Sequence, residues 1–307
     1  MLVPPEEKLT GRQLPVRIQD LPVPPEALYV RGELPRGPAV AVVGTRSCSR
    51  ESRDFARALA HDLSLAGVTV LSGGAEGIDT AAHRGALDAR GRTVVVAPSG
   101  FSRPFPAENA ALFQEIVLNG GVHVSLVSSE VPANRGSFFA RNALLVALSH
   151  AVIVVEAGYR SGARNAASQA RRLGRLLLVV PQAPWNWRGL GCIEELKQGA
   201  RPIKDARDVL RILRTERLHP LPFGSHAEDD AVDSQPQITL VSNLDGEVSV
   251  ADSQRVLAAV REQGSALDQL CAATGLAVAD VQRILLSLRL RGALIGDGRG
   301  GLRLPSS

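Results

Sequence analysis

Cysteine is scarce in this 307-residue chain: Cys48, Cys192 and Cys271 stand far apart, with no paired ligand spacing. They read as buried small hydrophobes of a reducing compartment, neither a disulfide framework nor a metal site. No run of about 18 apolar residues occurs, so no membrane-spanning helix is expected. The stretch Met1–Glu7 has no basic region followed by an apolar one; no secretory signal is expected, and the cytosol is the expected location. Lysine is nearly missing as well, confined to Lys8, Lys197 and Lys204, so the basic charge is almost all arginine. Arginine suits bidentate phosphate contacts and stacking on bases, although a genome-wide arginine habit explains the bias equally well. The first glycine loop lacks the G-x-G-x-x-G spacing of a dinucleotide site, and no G-x-x-x-x-G-K-[ST] exists for a Walker-type NTPase.

What is present is an ordinary globular composition, 45% hydrophobic and 21% charged, long enough for one sizeable core and a smaller module. The formal charge of +4 is unevenly spread. Residues 38–214 carry +8, residues 215–250 carry −6, residues 251–307 carry +2, and the first 37 balance. An anionic partner is therefore expected on the central segment. That segment alternates apolar runs with amphipathic stretches such as Arg53–Ala66 and Ser161–Leu173. The runs are Val40–Val43, Val68–Leu71, Thr93–Val96, Val122–Ser125, Val152–Val155 and Leu176–Val180. Near-continuous apolarity means strands covered on both faces, so residues 38–214 are expected to form an α/β domain, a Rossmann-like, doubly wound, mostly parallel sheet. Residues 1–37, rich in proline, read as an extended N-terminal arm with one ordered piece at Ala27–Gly32. Residues 215–249 read as an acidic flexible linker. Residues 250–307 show helical patterns at Val250–Gln263, Ala266–Thr274 and Val278–Arg291, a turn at Gly275 and a hairpin around Gly296–Gly301. That is the pattern of a small winged-helix domain.

Ligands of open parallel sheets bind beyond the carboxyl ends of the strands, so the loops after each run are the candidate site. The first is Gly44-Thr45-Arg46-Ser47, where glycine admits close approach and Arg46 adds a fixed charge. The second runs from Ser72 through Gly73, Gly74 and Gly77 to Asp79, an expected N-cap. The third, Pro98–Pro106, holds Arg103 and Phe105, with Asn109 just beyond it, and the fifth strand leads into Tyr159-Arg160-Ser161-Gly162. Turn glycines alone are common, but four such loops at one edge favour an extended groove for phosphates and bases.

These residues carry a resemblance. Val40–Arg46, the run Ser72–Asp79 followed by Ala82-His83 and Gly85-Ala86-Leu87, and Phe105-Pro106 with Asn109 and Leu112 resemble, in order, the motifs of the DprA/Smf (DNA-processing protein A) family. Ser129–Pro132, Phe139-x-Arg141-Asn142 and Val155–Ala157 with Ser161-Gly162 complete the series. The resemblance covers about residues 21 to 200. It implies a Rossmann-like fold, single-stranded-DNA binding, homodimerisation, and loading of the RecA recombinase during natural transformation, with no cofactor, no membrane partner and no catalysis. Together with the loop reading, which supplies Ser47 and Arg103, it gives Gly44, Thr45, Arg46, Ser47, Gly73, Gly74, Gly77, Arg103, Phe105, Asn109, Arg141, Asn142, Ser161 and Gly162 as the expected DNA-binding residues. The chain departs from the pattern at Glu76, where a basic residue is usual, at Ala143, where another arginine is usual, and at Gln182, where glycine is usual. A carboxylate at 76 is expected to repel phosphate unless it pairs with Arg103 or Arg141.

The competing class is an enzyme on the same sheet. LOG-type nucleotide phosphoribohydrolases carry a glutamate in the fifth-strand loop, whereas Gly158–Ala167 here contains no carboxylate. Small-nucleotide binding is a further alternative. Asp79 and His83 stand i, i+4, and Ser72 lies nearby, but no third metal ligand and no G-x-S-x-G elbow accompany them. Trp185 and Trp187 are compatible with base stacking, a dimer interface or core packing. In the third helix of the C-terminal module, Arg283, Arg289 and Arg291 are offset by Asp280, so DNA reading and protein interaction stay equally open.

Overall fold

The computed structural model describes residues 3–216, 250–263, 267–290, 294–296 and 302–303, in two compact units within Met1–Asp233 and Ser234–Ser307. In the first, the strands are β1 (Glu6–Thr10), β2 (Ala27–Arg31), β3 (Ala39–Val43), β4 (Thr69–Ser72), β5 (Thr93–Ala97), β6 (Val122–Ser125), β7 (Ala151–Val154), β8 (Leu176–Val179) and β9 (Arg201–Pro202). The helices are α1 (Arg50–Leu65), α2 (Ile78–Asp88), α3 (Ala110–Leu118), α4 (Arg135–Ala147), α5 (Gly162–Arg172), α6 (Leu190–Lys197) and α7 (Ala206–Thr215). The sheet order is β1-β2-β6-β5-β4-β3-β7-β8-β9, parallel from β6 through β9. All residues of β3, β5 and β7 are buried because helices cover both faces. On one face Ala39, Ala41, Val43, Val94, Val96, Val152 and Val154 pack with Leu144, Leu145 and Leu148 from the α4 segment and Ala163, Ala166 and Ala167 of α5. The opposite face receives α2 against β3, β4 and β5, and α1 packs along α2. This is the Rossmann-like arrangement expected from the six apolar runs.

The N-terminal segment corrects the extended-arm reading. β1 pairs antiparallel with β2, and β2 antiparallel with β6, so residues 6–31 build the sheet edge. Leu28 and Val30 point into the core, joined by Leu14, Ile18 and Leu21 from two 3-10 turns. The ordered piece expected at Ala27–Gly32 is β2; what proline density concealed is β1 and the turns between them. The charged Glu6, Glu7 and Lys8 of β1 suit an edge strand that must not pair with another chain.

Two smaller readings also change. Gly77, not Asp79, is the N-cap of α2, and the Asp79 side chain reaches back to the preceding loop. All three cysteines are free, but only Cys192 is buried, its thiol pushed up to about 12 mainly by desolvation.

The second unit contains α8 (Val250–Gln263), α9 (Leu267–Thr274), α10 (Val278–Leu290) and a short antiparallel pair, β10 (Ile295–Gly296) with β11 (Leu302–Arg303). Val256, Val260, Leu270, Val281, Ile284 and Leu288 form its core. Gly275 sits at φ +68° in the turn between α9 and α10, where a side chain would be strained. The linker expected at 215–249 lies outside the described residues except for Thr215, the last residue of α7, and Glu216. The side chains of Arg283, Arg289 and Arg291 also lie outside them.

Candidate nucleic-acid interface

Chain order runs outward from β3 in one direction through β4, β5 and β6, and in the other through β7, β8 and β9. The reversal leaves a crevice beyond the carboxyl ends of β3 and β7, the place where such sheets bind ligands. A cleft of about 400 Å³ occupies it, lined by the loops after both strands and by α4.

Backbone packing fixes the loops. Thr45 N donates to the Glu156 carbonyl at 2.7 Å, tying the β3 loop to the β7 loop. Gly44 lies so close to Ile78 that a Cβ would stand 2.4 Å from its Cγ1. Gly77, at φ +79°, presses on the carbonyls of Thr45 and Arg46, which interlocks the first and second glycine loops. Ser49 caps α1, and its own N–H donates to the buried Glu156 carboxylate at 2.7 Å.

The cleft floor is Arg141, whose side chain is 8% exposed. Its Nη1 lies 3.9 Å from Asp79 Oδ2 and donates to the Val96 carbonyl at 3.4 Å. Asp79 Oδ2 also accepts from Gly73 N at 3.2 Å and Ala75 N at 3.3 Å. A Cβ on Gly73 would fall 1.2 Å from Arg141 Nη1, so glycine there makes room for the guanidinium. Burial pushes the Asp79 carboxyl above the usual range, against the pull of Arg141. Burial likewise lowers Arg141, which nonetheless keeps its proton because a guanidinium starts so high. Arg141 Nε is buried with no hydrogen-bond partner among the described residues. A buried orphan donor on a cation is costly unless an anion completes it.

The rim carries two more guanidiniums. Arg46 is exposed, with its Cζ 5.7 Å from the ring centres of both Phe105 and Phe138. Those rings meet edge to face at 5.2 Å, and a cation over aromatic faces is held without being neutralised. Arg160 is also exposed and has no ion pair among the described residues. Asn142 donates to the Gly162 carbonyl and to Asn165 Oδ1, fastening α4 to the start of α5, which Ser161 caps. Three arginines therefore face one buried carboxylate, with the α5 N-terminus at the wall.

Of the sequence candidates, Gly44, Thr45, Arg46, Ser47, Arg141, Asn142, Ser161 and Gly162 line the cleft. Gly73, Gly74, Gly77, Arg103, Phe105 and Asn109 do not. Gly73 and Gly77 shape the floor and the loops. Gly74, at φ +72°, packs on Phe113, and its carbonyl accepts from Asn109 Nδ2, which also reaches Thr80. Phe105 places its ring 5.7 Å from the Arg46 guanidinium. Arg103 pairs with Glu130 at 3.6 Å, and Arg141 with Asp79, so neither is the partner expected for exposed Glu76. The candidates omitted Phe138, Phe139, Arg160 and Asn165, all of which line the cleft. The aromatic pair shortly before Arg141 was the visible signal. Glu156 was also missed, although a carboxylate closing an all-apolar strand run is an unusual placement.

The Ser72–His83–Asp79 triad does not form. Ser72 Oγ donates to the Val42 carbonyl, and His83 Nδ1 meets Thr93 Oγ1 at 2.8 Å. Thr93 Oγ1 donates onward to the Val70 carbonyl, so the proton between them belongs to His83 Nδ1. Burial, reinforced by Arg141 and Arg84, lowers His83 to about 3. No cluster of metal-ligating side chains exists among the described residues, and no described helix is long and apolar enough to cross a membrane.

Residues 9–214 match the family model described as DNA recombination-mediator protein A, and residues 245–295 match the DprA winged helix domain. A Mycobacterium tuberculosis protein named for DNA processing (DprA) is 42% identical over 175 residues, 57% of this chain and 45% of that one. The alignment thus spans less than half the length of that relative. Protein Smf of Synechocystis is 31% identical over 292 residues, 86% of this chain and 71% of that one. Among solved structures, DNA processing protein A of Streptococcus pneumoniae superposes with TM-score 0.60 at 28% identity, over 67% of this chain and 73% of that one. The Helicobacter pylori protein, whose structure is described for its single-stranded DNA binding mode, gives TM-score 0.62 at 30% identity, over 69% and 96%. Fold, motif order and these matches agree: the chain belongs to the DNA recombination-mediator protein A (DprA/Smf) family.

Proposed function

We propose that this chain binds single-stranded DNA in the cleft between the β3 and β7 loops, without catalysis, as a homodimer in the cytosol. There it protects incoming DNA and helps to load RecA during natural transformation. One observation carries the binding reading: Arg46, Arg141 and Arg160 converge on a cleft whose lining holds a single carboxylate, Asp79, which is buried and whose Oδ2 is held by two backbone N–H groups beside Arg141. Such a site attracts phosphate oxygens, and its one carboxylate is turned to backbone amides and Arg141. The Phe138 and Phe139 side chains at its edge suit an unpaired base, which a duplex does not present. The relative with a described single-stranded DNA binding mode supports the choice of ligand. The phosphoribohydrolase alternative is weaker, because the one carboxylate of the β7–α5 loop, Glu156, is buried and occupied by Ser49 N–H and Asn186 Nδ2, and the rest of the loop supplies arginine and serine. Gel-shift titration with matched single- and double-stranded oligonucleotides tests the proposal. The expected result is preference for the single strand with a steep loss of affinity in salt. Equal affinity for blunt duplex, or release of a base from nucleoside monophosphates, would overturn it.

A further inference from the structure

The only two tryptophans of the chain, Trp185 and Trp187, lie on one loop and are 86% and 66% exposed. Core packing does not account for them. The loop is built rather than loose. Asn186 Nδ2 donates to Glu156 Oε1 at 2.9 Å and to Gln182 Oε1 at 3.0 Å, and Gln182 Nε2 donates to the Val155 carbonyl at 2.8 Å. Gly191 N donates to the Ala157 carbonyl at 2.7 Å, seating the start of α6 on the β7 loop. The same Glu156 carboxylate takes the Ser49 N–H, so one buried side chain braces both the cleft loop and the tryptophan loop.

Beyond the cleft wall this edge carries a third ring, Tyr159, 60% exposed and directly before Arg160. Each side of the edge has a ring with its own cation. Arg188 Cζ stands 4.4 Å from the Trp187 ring centre, and Arg164 Cζ stands 5.2 Å from that of Tyr159. Arg164 also pairs with the buried Glu195 carboxylate at 2.7 Å, so the positive charge of this edge comes from Arg188 and from the cleft residue Arg160, next to Tyr159; with the exposed rings they form a surface of π faces and positive charge. That combination complements unpaired bases on a phosphate backbone. A protein partner of ordinary apolar character gains nothing from the arginines, and a duplex hides its base faces.

We infer that Trp185, Trp187 and Tyr159 form a base-stacking platform that continues the single-strand path from the phosphate cleft across the β7–β8 side of the sheet. The inference rests on the cleft binding single-stranded DNA, and its test separates the two. Both tryptophans report on one place, so intrinsic fluorescence reads the platform directly while anisotropy of a labelled strand reads total binding. Oligo-dT long enough to pass the cleft quenches the fluorescence on binding, whereas an abasic strand of equal length binds through its phosphates with little quenching. Trp185→Ala/Trp187→Ala weakens long oligo-dT about ten-fold or more, leaves a strand short enough for the cleft alone unchanged, and is rescued by Trp185→Phe/Trp187→Phe. If anisotropy shows tight binding of oligo-dT but fluorescence and the double alanine variant do not respond, the platform is wrong and the cleft stands. If no strand binds, both readings fail. Fluorescence that changes with protein concentration in the absence of DNA assigns the rings to an interface between copies and overturns the platform.

Discussion

Arg141→Met is the perturbation that most directly interrogates the cleft. The guanidinium lies on the floor with one ion-pair partner at 3.9 Å and a Nε that no described group accepts. If that donor completes itself on a phosphate, its removal costs one charged hydrogen bond, about 1.5–3 kcal/mol, or roughly 10- to 150-fold in affinity. The variant also leaves Asp79 buried without its counter-charge, a change that can cost about 3–5 kcal/mol of stability where the charge persists. Asp79 escapes part of that by taking up a proton, since burial already holds its carboxyl above the usual range. The double variant Asp79→Asn/Arg141→Met removes the stranded charge, so it regains stability without regaining DNA affinity. The decisive measurement is the slope of log K against log salt for an oligo-dT strand, which becomes shallower by about 0.7 for each phosphate that is no longer neutralised. A folded double variant that binds with the parent's affinity and slope would refute the reasoning and reduce the Asp79–Arg141 pair to a structural brace.

Gly73→Ala places a methyl where Arg141 Nη1 now sits, so it should weaken single-strand binding about as much as Arg141→Met while leaving every cleft-lining side chain in the sequence; filter-binding titration checks this. His83 and His123 are buried and lowered from 6.5 to about 3, chiefly by desolvation and then by Arg141 and Arg84 for His83, and by Arg31 and His83 for His123. An unfolded chain binds those protons below pH 6.5, so this contribution to stability is complete above 6.5 and lost as pH falls towards 3, amounting to about 2 kcal/mol per histidine at pH 5. Asp79 acts in the opposite sense, because its raised pKa penalises the charged form and that penalty fades on acidification. Urea melts at pH 8 and pH 5 should differ accordingly, and a His83→Gln/His123→Leu variant should flatten the difference; coincident parent curves would show the histidines to be solvated. Glu76→Arg should tighten binding by about 1 kcal/mol or less at low salt and not at all at high salt, since the exposed carboxylate is outside the cleft lining; weaker binding would mean that Glu76 orients an arginine in solution. A chain ending at Glu216 keeps the Arg201–Glu216 ion pair and the buried face of α7, and should retain oligo-dT binding in a gel shift.

The parallel sheet was legible because burial on both faces leaves an unbroken apolar run, and six such runs became β3 through β8 within a residue or two. The antiparallel edge was not. β1 reads Glu-Glu-Lys-Leu-Thr, an exposed edge whose pairing is all backbone, and the 3-10 turns that bury Leu14, Ile18 and Leu21 have no long period to detect. β9 has only two residues, both exposed, and leaves no pattern at all. Sequence order placed four candidate loops at the carboxyl edge of the sheet, and the strand order shows that the first and the last of them, after β3 and β7, flank the switch point. The sequence did not say which side chains would turn inward.

That last gap has a physical cause that separates recognising a family from locating its contacts. A motif persists in a fold for any reason that makes other residues fail, and close backbone approach is the most frequent. Gly73 yields its Cβ space to a guanidinium, Gly74 to the Phe113 ring, and Gly77 to two carbonyls, while Asn109 satisfies the Gly74 carbonyl. None of these lines the cleft, yet Gly73 leaves the space that the Arg141 guanidinium fills and Gly77 abuts the backbone of Arg46. Arg160, Phe139 and the two tryptophans face the opposite condition. They contact solvent, and only the folded chain shows that Arg160 and Phe139 line the cleft and that the tryptophans are exposed. On the proposed reading, a glycine loop marks where the site is framed, and the exposed cations and rings around that frame are the groups to test for recognition. Substituting the framing residues should change affinity for every strand alike, through Arg141. Substituting the exposed rings should change affinity only for strands that carry bases.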